Sequence, residues 1–377
     1  MKKITVILAG LAIVAASCTK TEVVGDKTQD SVRGIGFSAY TSRPTKTAQE
    51  DVKTDNLNSF KVSAIGNDAV YFHNVTFTKG TVWTSNPVYF WPAYALNFYA
   101  YNTPEKADCT FNPTINTTDP QTLYVKPAAD LANQEDLVAA YAESKKEANA
   151  TGTEHSLPIT FKHYLTQVIV NALSTNSNYE VKVEGVKLAN LAGDGTYTFS
   201  TNIMEATAAN VNSNTSADYD EVFSAKTLTT NAQEMMKEGA DGGKWYLIPQ
   251  TVAAWDKDND KKNDSNGTYL ALKVKITANG GTLKIYPASG DYAAWMAVPV
   301  SADLKFKQGV KYNVTVKFFG ADGTGGAGYV DPENPGDLDG NGTADEEEKG
   351  KAILGGAIKF SAEVNDWGDA VDVTITL

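Results

Sequence analysis

The sequence predicts an all-β protein: two tandem antiparallel β-sandwich domains, with a loop-rich insertion in the second. Three observations support this. Apolar residues recur in short runs with alternation, the period of a pleated strand rather than of a helix. The runs are rich in aromatic and β-branched residues, helped by 18 Tyr, 14 Phe and 6 Trp in a chain of 377 residues. Turn-formers, among them 30 Gly and 13 Pro, separate the runs. At roughly 100–200 residues per domain the length fits two domains.

The elements follow in order. Lys2 and Lys3 precede an apolar stretch, Ile4 to Ala16, that ends in Ala15-Ala16-Ser17 directly before Cys18. That is the pattern of a bacterial lipoprotein signal peptide over residues 1–17, with Cys18 acylated as the first mature residue. Lipid gives a peripheral anchor, and no apolar run reaches the ~18–20 residues a spanning helix needs. Residues 18–33 are a polar pro-segment, with one short strand expected at Glu22–Val24.

A first sandwich is expected over residues 34–155. Phe60, Val62 and Ala64 share one face of a strand, and further strands are expected around Val70–Phe72, Val75–Phe77, Thr81–Trp83, Val88–Trp91 and Leu96–Tyr101. Ala128 to Asn149 reads as helical from its Ala, Glu and Lys content, its second half being equally compatible with a solvated loop. Gly152 to Pro158 is polar and turn-rich, which places the domain boundary near residue 155.

The second sandwich, 156–377, is patterned more clearly. Strands are expected at Phe161–Val170, Tyr179–Val183, Gly195–Phe199 and Trp245–Pro249. Leu270, Leu272, Val274 and Ile276 alternate with Ala271, Lys273 and Lys275, and Tyr312, Val314, Val316 and Phe318 alternate with Lys311, Asn313, Thr315 and Lys317. Residues 320–350 form a Gly-rich insertion.

Charge and rare residues exclude several functions. Lys plus Arg is 33 and Asp plus Glu 45, a net charge of −12 that phosphate backbones repel, so nucleic acid is not an expected partner. With Cys18 acylated, Cys109 stands alone and no intrachain disulfide can form. His73, His155 and His163 are scattered, and no HExxH, CxxC, GxSxG or phosphate-loop motif occurs. The chain does not read as an enzyme.

Four features could carry function. Asp337-Leu-Asp339-Gly-Asn341-Gly342-Thr343-Ala-Asp345-Glu-Glu-Glu348 matches the twelve-residue calcium loop: side-chain oxygens at positions one, three, five, nine and twelve, a carbonyl from Thr343, and Gly342 at the sharp turn. Ca²⁺ is the one cofactor expected; an acidic surface loop would have similar composition. A second cluster, Asp256, Asp258, Asp260 and Asp264, carries Lys261 at the sixth place and Gly267 at the twelfth, and reads as a solvated hairpin tip. Arg33 and Arg43 are the only arginines, and Pro44 protects the second, so an Arg-specific protease has one good bond, Arg33–Gly34. The chain ends on a strand whose one face is Val371, Val373, Ile375 and Leu377, the pattern of a segment that can add to another subunit's sheet.

These pieces together resemble the Bacteroidales fimbrillin family, the Mfa-like type V pilus subunits. The resemblance is carried by Cys18, by Arg33-Gly-Ile-Gly-Phe-Ser-Ala-Tyr, by Tyr89-Phe-Trp-Pro with Phe98-Tyr-Ala-Tyr, and by Phe161-Lys-His-Tyr-Leu-Thr-Gln-Val. It continues through Tyr246-Leu-Ile-Pro-Gln-Thr, Gly309-Val-Lys-Tyr and Val364-Asn-Asp-Trp to Leu377. It implies transthyretin-like sandwiches, export as a lipoprotein to the outer membrane and cell surface, and protease-triggered strand exchange, in which an Arg-specific surface protease removes an N-terminal strand and the vacated groove accepts a terminal strand from the next fimbrial subunit, head to tail. Cys18 would then carry the lipid, Arg33–Gly34 would be cut, and Val371–Leu377 would be the donor strand. The alternative function is a cell-surface glycan-binding lipoprotein whose Trp and Tyr stack on sugar faces.

Overall fold

A computed structural model describes residues 33–41, 56–115, 121–151, 155–199, 216–236, 243–258, 267–301, 304–320, 325–356, 358–366 and 373–376. The described fold is all-β, as the alternating pattern predicts. The first half contains β1 (Phe37–Thr41), β2 (Ser59–Gly66), β3 (Ala69–Lys79), β4 (Trp83–Ser85), β5 (Leu96–Tyr101), β6 (Asp108–Phe111), β7 (Thr122–Lys126), β8 (Val138–Lys145) and β9 (Leu157–His163). Seven of them close into a barrel in the order β1-β4-β3-β2-β5-β8-β9.

Closure depends on β1. It runs parallel to β9, with Phe37 opposite Leu157 through Thr41 opposite Phe161, and meets β4 antiparallel at Phe37 and Trp83. Without that strand, β4 and β9 would both be open edges. The barrel interior is filled by alternate residues of each strand: Phe37, Phe60, Val62, Phe77, Phe98, Ala140 and Phe161 are all buried. The Phe37 ring stands edge-on to Phe60, Phe77 and Phe98, with centroids 6.0, 4.9 and 5.4 Å away.

The helix expected over Ala128–Asn149 is not formed. That stretch contains 3₁₀ turns at Leu131–Asn133 and Glu147–Asn149, with β8 between them. Tertiary packing overrides helix propensity here. Val138, Ala140 and Ala142 point into the barrel, and on the outer face Tyr141 stacks on Tyr99 of β5 at 5.1 Å.

The second half holds β10 (Thr166–Ser174), β11 (Tyr179–Ala192), β12 (Gly195–Thr198), β13 (Ser216–Thr227), β14 (Gln233–Glu234), β15 (Trp245–Leu247), β16 (Gln250–Thr251) and β17 (Tyr269–Ala278). It continues with β18 (Leu283–Tyr286), β19 (Ala294–Pro299), β20 (Lys305–Phe306), β21 (Val310–Phe318), β22 (Tyr329–Val330), β23 (Lys359–Asp366) and β24 (Val373–Thr376). One sheet has the order β14-β10-β21-β23-β24, with β15 also on β10; the other runs β13-β11-β17-β19-β22, with β18 on β17. Val168, Val170, Val314 and Val316 of the first sheet share a core with Val181, Val183, Leu272 and Met296 of the second. This is a sandwich with its apolar faces inward.

The two halves are joined. β12, from the second half, pairs with β7 to build the sheet β12-β7-β6. That sheet helps bury an aromatic cluster of Tyr99, Phe111, Tyr164, Tyr197 and Phe199. Beside it, buried Gln134 accepts from the Tyr246 N–H at 2.6 Å and donates to the Tyr246 and Ala128 carbonyls.

Candidate functional site

The opening segment, the tail and the acidic insertion are the places where the sequence locates function. Arg33 is exposed, and its guanidinium lies 2.6 Å from Nδ1 of His155. Gly34 forms an antiparallel bridge with Phe90, and Ile35 and Phe37 beyond it are fully buried. The Arg33–Gly34 bond therefore lies upstream of β1, and a cut there leaves β1 in the barrel.

The tail strand β24 occupies the edge of its own sheet, antiparallel to β23, with Val373 opposite Val364 and Ile375 opposite Ala362. β23 is itself paired along its whole length with β21, from Val310–Asp366 to Lys317–Lys359. Among the described residues the tail is thus the outermost strand of the sheet, with β23 as its one partner. Cys18, Val371 and Leu377 lie outside the described residues, as does the strand expected at Glu22–Val24.

The described part of the acidic insertion, residues 325–350, packs against the sandwich. Leu338 and Ile353 are buried in the sandwich core, and the Leu338 carbonyl accepts from both the N–H and the hydroxyl of Ser289. The Asp337 carboxylate accepts from the N–H groups of Gly340, Asn341 and Gly342, and Asn341 Oδ1 accepts from Thr343. Gly342 has φ +91°, the left-handed conformation that the sixth place of a calcium loop requires. Carboxylate oxygens of Asp337, Asp339 and Asp345 all come within 4.8 Å of one another. Glu348, the twelfth residue, instead pairs with Lys351 Nζ at 2.7 Å. The loop's negative field reaches its neighbours: burial, followed by the Asp337 charge, pushes the Tyr292 hydroxyl above its usual range.

Other expected groups remain apart. In the second acidic cluster Asp256 accepts from the Asp258 N–H and Lys257 pairs with Asp258, while Asp260 and Asp264 lie outside the described residues. The histidines face three different places: His73 bonds Ser63, His155 contacts Arg33, and His163 makes a buried 2.8 Å contact with Asp136, a pair that spacing gave no means of finding. Trp83, Trp245 and Trp255 are buried, and among the described residues the exposed large apolar side chains include no Trp. Most described aromatic side chains are core, while Tyr40, Phe90 and Tyr292 are exposed.

The fimbrillin-like family profile matches residues 23–331. The chain belongs to the fimbrillin-like family. This is a family of fimbrial structural proteins of the cell surface, not of enzymes. A comparison with curated proteins returns no match. Among solved structures, the chain is similar to a fimbrial protein from Bacteroides vulgatus, with 16% identity, TM-score 0.50, and coverage of 75% of this chain and 94% of that one. It also matches the fimbrial anchor protein Mfa2 from Porphyromonas gingivalis, with 11% identity, TM-score 0.29, and coverage of 76% and 90%. The first likeness places this fimbrillin-like chain in a known fold.

Proposed function

We propose that this fimbrillin-like protein is a structural and adhesive subunit of a surface fimbria, exported as a lipoprotein acylated at Cys18 and joined to other subunits head to tail by strand exchange. The observation that carries the reading is the position of the tail. A tail strand at a sheet edge, paired on one side among the described residues, can leave its own β23 and pair with the β23 of a neighbour, whose edge is complementary because it is the same sequence. Passed on head to tail, each subunit giving its tail to the next rather than trading it with one partner, the contact does not close on itself and extends into a filament.

The opening segment has a separate part. A cut at Arg33–Gly34 by an Arg-specific surface protease would sever the lipid-bearing piece, Cys18 to Arg33, and free the subunit from the outer membrane while the barrel stays closed. The strand whose loss would open the barrel is β1, which lies downstream of Arg33.

The test is assembly by the exported chain with and without residues 367–377. The full chain is expected to form SDS-resistant ladders and the shortened one to stay monomeric. Ladders of equal length from both would sink the tail-exchange reading.

A second reading concerns the insertion. The spacing from Asp337 to Glu348, with three carboxylates already converged, supports a structural Ca²⁺ site formed by Asp337, Asp339, Asn341, Thr343, Asp345 and Glu348. Glu348 would exchange Lys351 for the ion. The site would rigidify the insertion where β22 pairs with β19.

A further inference from the structure

Residues 33–38 are gripped from two sides. On one side the Arg33 carbonyl accepts from the Trp91 N–H at 3.4 Å, Gly34 bridges Phe90, and the Ile35 N–H donates to the Tyr89 carbonyl at 2.7 Å. On the other the Gly36 carbonyl accepts from the Leu157 N–H at 2.8 Å, and the Ser38 hydroxyl meets that of Ser156. The side chains are engaged as well, with Ile35 1% and Phe37 0% exposed. Gly34 lies so close to Val88 that a Cβ there would be 2.6 Å from Cγ1.

A protease takes its substrate as an extended strand. It uses the substrate's main-chain groups on both sides of the scissile bond for affinity, and it must bring that bond's carbonyl to its own oxyanion donors. In this protein the Arg33 carbonyl and main-chain groups just beyond the bond are committed within the fold. The carbonyl to be attacked is that of Arg33, which accepts from Trp91; beyond the bond Gly34 stands opposite Phe90, the Ile35 N–H is held by Tyr89 and the Gly36 carbonyl by Leu157.

We propose that the folded chain masks its own Arg33–Gly34 bond: residues 33–36 form a latch, and Arg-specific cleavage proceeds only through molecules in which this segment has peeled away from Tyr89–Trp91 and Leu157. The inference rests on reading Arg33–Gly34 as the processing site, and it adds the regulation of that site. It gives Gly34 a structural role, since a Cβ there would lie 2.6 Å from Val88 Cγ1 and Val88 or the segment would have to shift. It also orders events. A protease that meets the chain before β1 docks cuts freely, whereas one that meets the folded subunit waits for local opening. Peeling withdraws Ile35 from the core, and an opening of that size leaves about one molecule in a hundred, or fewer, accessible.

The experiment compares an Arg-specific protease acting on the folded, purified full chain and on a synthetic peptide of residues 28–39, followed by mass spectrometry of the new N-terminus at Gly34. The chain is expected to be cut at least ~100-fold more slowly than the peptide. Gly34→Val, which forces the segment off Val88, is expected to speed cutting of the chain at least ~10-fold without speeding cutting of a peptide carrying the same change. Ile35→Ser removes the buried anchor and provides a second opening variant if the first does not fold. Equal rates for wild-type chain and peptide overturn the latch. If neither is cut, the processing reading fails, and the latch is judged by amide exchange: protection of the Ile35 N–H upholds it, and exchange at the rate of an unstructured chain overturns it.

Discussion

Truncating Phe37 to Ala probes the strand that closes the barrel. The ring is fully buried and stands edge-on to Phe60, Phe77 and Phe98. Phe→Ala in a core costs about 3–5 kcal/mol from lost transfer energy and the cavity left behind. Three edge-to-face partners, each worth about 0.5–1.5 kcal/mol beyond area, put this site in the upper half of that range. At about 2–4 °C per kcal/mol for a unit of 150–250 residues, the transition that includes the barrel falls by about 8–20 °C. Calorimetry on the purified chain, with near-ultraviolet circular dichroism to follow aromatic packing, measures it. A fall of less than about 3 °C would refute the placement of β1 as the closing strand.

Four further outcomes are expected. At 10 mM Ca²⁺ an extracellular-type loop with Kd of about 10⁻⁴–10⁻³ M gains about 1.4–2.7 kcal/mol, a rise in Tm of several degrees that Glu348→Gln should abolish; no rise, or the same rise in the variant, counts against the site. Gln134→Ala strips the buried Tyr246 N–H and carbonyl of a partner and should cost about 1–3 kcal/mol in a urea titration; an unchanged midpoint would show that this contact does not join the halves. Burial pushes the Cys109 thiol and the Tyr101 hydroxyl up to about 12 each. Their neutral forms are favoured by folding, so this contribution is complete below the unfolded values, roughly 8.5 and 10, and is lost as pH climbs to about 12; urea midpoints should fall from about pH 9 upward, and a flat profile to pH 12 would contradict the burial. Cys18→Ala should abolish acyl labelling of the exported chain and move it out of the membrane fraction, and retained label would exclude Cys18 as the lipid site.

Strand faces were legible because alternation is local. Leu270 to Ile276 and Tyr312 to Phe318 turn their apolar residues inward as the pattern predicts. Barrel closure was not legible, because the β1–β9 seam joins Phe37 to Leu157 and no short-range signal encodes such a parallel pairing. The β12–β7 pairing that joins the halves is hidden for the same reason. The Ala-rich stretch around β8 misled because intrinsic propensity is weak beside burial between two strands. In the acidic loop the sequence located the converging carboxylates, but not the ion pair that draws Glu348 to Lys351. At Arg33 it located a basic residue before glycine, while the bonds that cover it come from Trp91, Tyr89 and Leu157, far along the chain.

The most direct measurement of strand exchange uses the β23–β24 register, in which Glu363 stands opposite Thr374. Cells producing two forms of the subunit, one Glu363→Cys and one Thr374→Cys, each with Cys109→Ser, would assemble mixed fimbriae. If the tail of one subunit lies on β23 of the next, mild oxidation yields disulfide-linked pairs containing one copy of each form. If fimbriae form normally and no such pair appears, each tail has stayed on its own sheet and the subunits are joined by other means.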